Sequence, residues 1–524
     1  MSTTATEAHS EVQHLYPAPL SIDGSADDLA ASVDQRLVAL QRIRSWSGPR
    51  STVGLSDETI GAFLCADTSL GEAIDRAVGA HLELRRHSPE LVAKAEDDLQ
   101  TQVQADYLSF YGKDASSPYL PLAAAGPWIV TTHGAVLHDS GGYGMLGLGH
   151  APAEVLDAIS QPHVMANVMT PSLSQQRFAR LLTAEIGHTR GGCPFSRFVC
   201  LNSGSEAVTM ASRICDLGAY GQTLPGARHH GEQIRQLSLV GGFHGRTDRA
   251  ARLSHSTKAI YEANLASFRD QDLLDVVEPN DLEALEKAFV AAEENGIFYE
   301  SMFIEPVMGE GVPGMRLTPE FYSLARKLTR EAGTLLVVDS IQAALRAHGV
   351  LSIVDYPGFE DCDPPDMETY SKALNGGQYP LSVLALTAEA ASLYVTGVYG
   401  NTMTTNPRAL EVGCAVLSSM TDELRQNICE RGAELKQGLE QLADELPGAI
   451  AAVTGTGLMV NAELDPAAFQ VTGVGGVEEQ LRKAGIAMIH GGENGLRFTP
   501  HFAITSVEVE LIVDTVKAVL ARAA

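Results

Sequence analysis

The sequence predicts an α/β fold: a large domain built on a mainly parallel sheet covered by helices, a smaller α+β domain at the C-terminal end, and an extra helical region before them. Three observations predict it. From Pro127 onward, short β-rich runs alternate with amphipathic helical stretches, the signature of a parallel sheet buried on both faces. Polar residues able to do chemistry stand just after several of those runs, where open parallel sheets bind ligands. The length of 524 residues also exceeds what one ordinary core fills, so two or three domains are expected.

In chain order, residues 1–24 read as a tail, 25–118 as an N-terminal helical extension and 119–165 as the N-terminal part of the small domain. Residues 166–408 form the large domain and 409–524 complete the small one. In the extension, one helix is predicted over 26–45, ending near Ser47-Gly48-Pro49. A second is predicted to start at the capping box Ser69-Leu-Gly-Glu72, and a third to follow Ser88-Pro89. The extension carries no convergent polar set: it is an interaction or lid element, or padding for the surface or a dimer interface. Strands are predicted at Arg197–Leu201, Leu237–Gly241, Ser301–Glu305, Thr334–Asp339, Met367–Ser371 and Leu381–Leu386, with a helix at Pro319–Ala332. Near the C-terminus, Thr505-Ser-Val-Glu508 is another capping box.

Composition narrows the function. A formal charge of −28 repels nucleic acid and anionic membranes, which both need a basic footprint. No run is apolar for long enough to span a bilayer, and the N-terminus lacks the basic start and apolar block of a signal peptide. Seven scattered cysteines without a CxxC pair fit free thiols in a reducing cytoplasm, and neither a disulfide framework nor a metal site is expected.

Four features carry chemistry. Asn202-Ser203-Gly204-Ser205-Glu206 links a strand to a helix, so free amides at the positive dipole end suit a phosphate, although an ordinary helix start has the same residues. Leu-Leu-Val-Val-Asp339 ends a strand in a carboxylate, with Gln342 one turn later; Asp339 either faces a protonated ring nitrogen or caps the next segment. Lys372, one of nine lysines, stands between an apolar strand and Gly376-Gly377, whereas most of the others lie on charged helical faces. A desolvated amine there can form a Schiff base. Gly242-Phe243-His244-Gly245-Arg246-Thr247 places an aromatic residue where it can approach a planar ring, or pack in a loop.

Taken together, over roughly 127–524, these motifs resemble the class III (ω-amino acid) branch of the pyridoxal 5′-phosphate (PLP)-dependent aminotransferases, in the aspartate-aminotransferase-like fold known as fold type I. The resemblance implies phosphate contacts at Gly204 and Ser205, a ring-stacking Phe243 followed by His244, and a Glu305-Pro-Val-Met-Gly-Glu310 strand and turn. It implies that Asp339 keeps the pyridine nitrogen protonated, that Gln342 lies near the phenolic oxygen, and that Lys372 carries the Schiff base. Gly400-Asn-Thr402 resembles the segment that passes a threonine to the neighbouring subunit's phosphate, which implies a homodimer with shared sites. Arg497, in Gly495-Leu-Arg-Phe-Thr-Pro500, resembles the arginine that binds a substrate carboxylate. Glu310 and Arg497 then form either a pair that opens for a dicarboxylate or a permanent structural pair.

The departures cluster around the substrate. Ser340 replaces the usual acidic residue after the strand aspartate, and Arg346 stands one place earlier than the family arginine. The turn after Lys372 is one residue longer, and Asp139–His150 is contracted, which brings Tyr143 to the expected substrate mouth. The function implied is transfer of an amino group from an amino acid or amine to a keto acid or aldehyde. Alternatives on the same fold are a racemase or epimerase, a decarboxylase, or an elimination, replacement or carbon–carbon bond-forming biosynthetic enzyme; a non-catalytic scaffold is the reading from another class.

Overall fold

The computed structural model describes residues 28–112, 115–165, 169–269 and 273–523. The predicted tail over 1–24 and the side chain of Tyr143 lie outside the described residues. Three sheets organise the rest. In chain order the strands are β1 (Pro121–Ala125), β2 (Trp128–Thr131), β3 (Val136–Asp139), β4 (Arg197–Leu201), β5 (Gln233–Leu239), β6 (Leu274–Val277), β7 (Ile297–Ile304) and β8 (Leu335–Asp339). They continue with β9 (Met367–Tyr370), β10 (Ser382–Leu386), β11 (Ile450–Thr456), β12 (Met459–Leu464), β13 (Ile486–Ala487), β14 (Ile489–Gly491) and β15 (Gly495–Phe498).

The central sheet has the order β4-β10-β9-β8-β7-β5-β6. Its neighbours pair in parallel except at β10, which runs antiparallel to both β4 and β9. Valine and leucine dominate the interior strands β8 and β10, as burial on both faces requires. All six predicted strands are present within a few residues; β6 is an element the sequence reading lacks. The helix Pro319–Ala332 occupies its predicted span, entered by Thr318 as N-cap with Pro319 at the first position, and closed by left-handed Gly333.

Before the central sheet, the helix Asp28–Trp46 matches its predicted span within two or three residues. The next differs: Thr68–His87 is capped by Asp67, whose carboxylate takes both the amide and the hydroxyl of Ser69. A stronger acceptor two residues upstream displaces the predicted Ser69 capping box. Ser88-Pro89 starts only a four-residue helix, Pro89–Val92, after which Glu96–Gln104 begins anew, and a helix at Asp57–Leu64 precedes them. The helices Asp28–Trp46, Asp57–Leu64 and Thr68–His87 share one core with the first sheet, Leu40, Ile43, Ile60, Leu70 and Ile74 packing with Trp128, Val130 and Val136.

Segments far apart in the chain meet in that first sheet, β1-β2-β3-β13, because β13 pairs in parallel with β3. Buried His138 of β3 reaches Glu508 at 3.1 Å, and His501 reaches the same carboxylate oxygen at 3.0 Å. Glu508 also completes the predicted capping box of the last helix, Ser506–Ala523, by accepting from the Thr505 amide at 2.7 Å. No helix among the described residues is long and apolar enough to cross a membrane.

Candidate active site

A cavity of about 720 Å³ opens at the carboxyl ends of the central strands. Of the residues singled out in the sequence, Gly204, Ser205, Phe243, His244, Asp339, Gln342 and Lys372 line it. Four separate segments therefore converge, each delivered by the end of a strand or the start of the helix that follows.

The helix Gly204–Thr223 points its N-terminus into this cavity. Ser203 and Glu206 form a reciprocal capping box, Glu206 accepting from the amides of Asn202 at 2.8 Å and Ser203 at 3.2 Å. The amides of Gly204 and Ser205 remain as first-turn donors, which is the arrangement an anion needs. Gly204 also packs closely: a Cβ there would stand 2.8 Å from Cδ1 of Ile341, the second residue after Asp339, and would push that side chain aside.

Asp339, at the end of β8, is buried and held on three sides. Oδ1 accepts from the Thr369 hydroxyl at 3.0 Å and the Ile341 amide at 3.1 Å, while Oδ2 lies 2.9 Å from Nδ1 of His244. The other ring nitrogen of His244 meets the Ser238 hydroxyl at 3.1 Å. Glu305, just beyond β7, accepts from the amides of Phe243 and Gly309, each at 2.9 Å. Burial pushes its carboxyl up to about 7, with Asp339 adding to the rise and His244 and the two amides opposing it. Glu305 thus fixes the backbone that carries Phe243.

Lys372 follows β9 with φ of +46°, a left-handed conformation that a lysine adopts at a cost of about 1–3 kcal/mol. Strain of this kind persists where the surroundings over-determine it. Burial pushes the Lys372 ammonium down to about 8, with Glu310, Asp339 and Glu305 partly restoring it and Arg497 lowering it further. Near neutrality a useful fraction of the side chain is therefore the free amine.

Glu310 and Arg497 form an ion pair at 3.2 Å, and Gln342 touches both at 3.4 Å. Arg497 also donates to the Gly309 carbonyl. Burial alone would raise the Glu310 carboxyl, but Arg497 and Lys372 together hold it below its ordinary value. Thr402 is exposed and lies outside the cavity of its own chain, while the adjacent Asn401 donates to Glu206 at 2.7 Å.

Two features were not singled out from sequence. Arg246 stands over the Phe243 ring at 5.6 Å and over the Tyr111 ring at 5.6 Å, joining the extension to the cavity wall. The second explains Ser340. The carboxylate missing there is supplied by Glu368 of β9, fully buried opposite Val338, which accepts from Ser340 at 2.5 Å, Ser352 at 2.5 Å and the Ile353 amide at 3.0 Å. A charged residue inside an apolar strand was the visible signal, but its partner is set by the β8–β9 register, Asp339 opposite Thr369.

That exchange is testable. Glu368→Val should leave two buried hydroxyls and an amide without acceptors, at about 1–3 kcal/mol for each group. Adding Ser340→Glu should recover part of the loss, measured as positive coupling in a double-mutant cycle of thermal unfolding. Burial pushes Glu368 up to about 7, above its unfolded value, so the native state holds the extra proton between the two. Its contribution should therefore decline as pH rises towards 7, and Glu368→Gln should flatten that decline.

The cavity thus combines helix-terminal amides for a phosphate, a buried carboxylate at ring depth, an aromatic wall and one low-pKa lysine. This donor set fits PLP. Residues 111–520 match the family Aminotransferase class-III. The chain is 28% identical over 402 residues to an acetylornithine aminotransferase of Mesorhizobium japonicum, covering 75% of this chain and 91% of that protein. It is 30% identical over 323 residues to ornithine aminotransferase 2 of Staphylococcus aureus, covering 60% and 73%. An ornithine aminotransferase structure from Toxoplasma gondii superposes with a TM-score of 0.69 at 21% identity, over 84% of this chain and 98% of that one. A second structure of that enzyme, with a TM-score of 0.68 at 22% identity over 81% and 94%, is described with partial PLP occupancy at its active site. An acetylornithine aminotransferase structure from Elizabethkingia anophelis gives 0.66 at 20% identity, over 82% and 99%. With the family matched over most of its length, the chain belongs to the class III aminotransferases, enzymes of fold type I that use pyridoxal 5′-phosphate to transfer amino groups.

Proposed function

We propose that the chain moves the terminal amino group of an ω-amino acid to an oxo-acid acceptor, with Lys372 as the proton carrier and two subunits sharing each site. The placement of Lys372, strained and of lowered pKa in the same cavity as Asp339, is the observation that carries this reading. The names of the relatives, acetylornithine and ornithine aminotransferases, support a donor amine at the end of a carboxylate-bearing chain.

When bound, PLP supplies the electron sink for the carbon that loses its proton. The chain's own residues do the rest. The amides of Gly204 and Ser205 bind the phosphate at the helix N-terminus. Phe243 covers one face of the ring, and Glu305 holds the backbone behind it. His244, Thr369 and Ile341 fix Asp339 so that its carboxylate meets the ring nitrogen and keeps it charged. Gln342 is directed to the ring's phenolic oxygen. The Lys372 amine takes a proton from the amine-bearing carbon of the donor and later returns one to the acceptor carbon. Closed, the Glu310–Arg497 pair presents a neutral wall to the donor; opened, it frees Arg497 for a dicarboxylate acceptor.

Thr402, exposed on its own chain, is proposed to reach the phosphate of a second copy, which makes the working unit a homodimer. The seven cysteines are all free, which supports a reducing cytoplasm. The test is a single half-reaction of the holoenzyme with ornithine, N-acetylornithine or 4-aminobutyrate and no acceptor. Stoichiometric pyridoxamine phosphate and one equivalent of aldehyde are expected. Repeated turnover of an amine with the cofactor unchanged would replace transamination by a racemase, decarboxylase or lyase reading.

A further inference from the structure

Arg346 is fully buried, and among the described residues no carboxylate stands within ion-pair distance of it, Asp139 acting on it only at longer range. One end of its guanidinium is occupied: Nη1 donates to the carbonyls of Leu458, at 3.3 Å, and Pro500. The group lies over the Phe502 ring at 5.1 Å. Nε and Nη2, by contrast, have no hydrogen-bond partner. These two nitrogens form one edge of the guanidinium, with parallel N–H bonds spaced for the two oxygens of a carboxylate. A buried guanidinium whose N–H groups meet no protein acceptor is costly to keep, which makes that edge a place where an acceptor would be bound tightly. Burial pulls the guanidinium down to about 9, which leaves it charged at neutral pH.

The Nε end of that edge lies close to the catalytic lysine, with Gly144 packed between them. A Cβ on Gly144 would stand 3.8 Å from Nε of Arg346 and 3.9 Å from Cδ of Lys372. Gly144, at φ of +69°, belongs to the strap 141–149, and its amide is tied to the Thr499 hydroxyl at 3.2 Å. Asp139 is occupied elsewhere in the strap, by the amides of Gly141 and Gly142 and by His150 at 2.9 Å.

We propose that the Nε–Nη2 edge of Arg346 is a carboxylate subsite, reached when the strap lifts at Gly144, that holds the carboxylate of an amino-acid donor while its amine lies against Lys372. This rests on the role proposed above for Lys372. It differs from the Glu310–Arg497 site because no acid has to move aside. A donor with a carboxylate would be selected over the same amine without one.

The test measures binding without turnover, so that it stands apart from the reaction type. The holoenzyme is titrated with butyrate and with neutral butyramide, followed by the cofactor's absorbance and by thermal shift. Arg346→Met fills similar space with no unsatisfied N–H, and Arg346→Lys keeps the charge but loses the fork. Butyrate should bind the wild type, and both variants should weaken it by about tenfold or more while butyramide is unaffected. If one variant does not fold, the other decides. Unchanged butyrate affinity in a folded variant, or no butyrate binding by the wild type, would overturn the proposal. Failure of the half-reaction test with this result intact would instead remove the reaction and keep the subsite.

Discussion

Lys372→Ala is expected to lower amino transfer by at least about 10³-fold, because both covalent attachment and proton transfer at the reacting carbon are lost with one side chain. The Gly204 and Ser205 amides and the Asp339 cradle remain, so the variant should still take up PLP without a covalent link. Borohydride reduction followed by peptide mapping separates the two states. The wild type should carry the label on Lys372 alone and the variant should carry none, and a label on another lysine would refute the assignment. The same variant tests the proposed dimer. Mixed with Thr402→Ala chains, it should form heterodimers in which both lesions fall on one site, restoring up to about half the wild-type activity for each heterodimer. No recovery in heterodimers shown to form would confine Thr402 to its own subunit.

Asp339→Asn is expected to keep the fold and cost about 10²-fold or more in kcat. A carboxylate beside a cationic nitrogen raises that nitrogen's pKa by about one to three units, and each unit is a factor of ten. The amide oxygen can still accept from Thr369 and Ile341, so the local frame survives. His244 can adjust by changing tautomer between the residue at 339 and Ser238. An N-methylated PLP analogue, whose ring charge is permanent, should therefore narrow the gap between variant and wild type. Near-native turnover of Asp339→Asn with ordinary PLP would sink the role given to this carboxylate.

What could be read in advance follows from the range of each signal. Lys372 and Asp339 were visible because an apolar strand ending in one ionisable residue is a local pattern, and the fold carries both to the same edge of the sheet. The capping box at Thr505 was equally local and is present. The box predicted at Ser69 failed because Asp67 offered a charged acceptor within reach of the same amide. Glu368 and Ser340 are 28 residues apart, and only the β8–β9 register turns a missing acid into a relocated one. Arg346 was noticed as a displaced arginine, but its empty edge depends on Leu458, Pro500 and Phe502 from the far end of the chain. Substrate contacts are the least legible part, since they come from segments that meet only after folding.

The sheet that joins these distant segments has a consequence for biosynthesis. Glu508, the partner of His138, lies 370 residues further along the chain, and β13 is nearly as distant from β3. At about 5–20 residues per second, a ribosome needs roughly 20 to 75 seconds to deliver that partner after His138 has emerged. For that interval the edge of β3 is an unpaired strand, the kind of surface that recruits other nascent chains. The helices Asp28–Trp46, Asp57–Leu64 and Thr68–His87 precede it in the sequence, emerge first, and in the folded chain pack against Trp128, Val130 and Val136. Deleting these helices should therefore bare the apolar face of the waiting sheet, and the loss should appear first as insoluble nascent protein and only second as altered turnover.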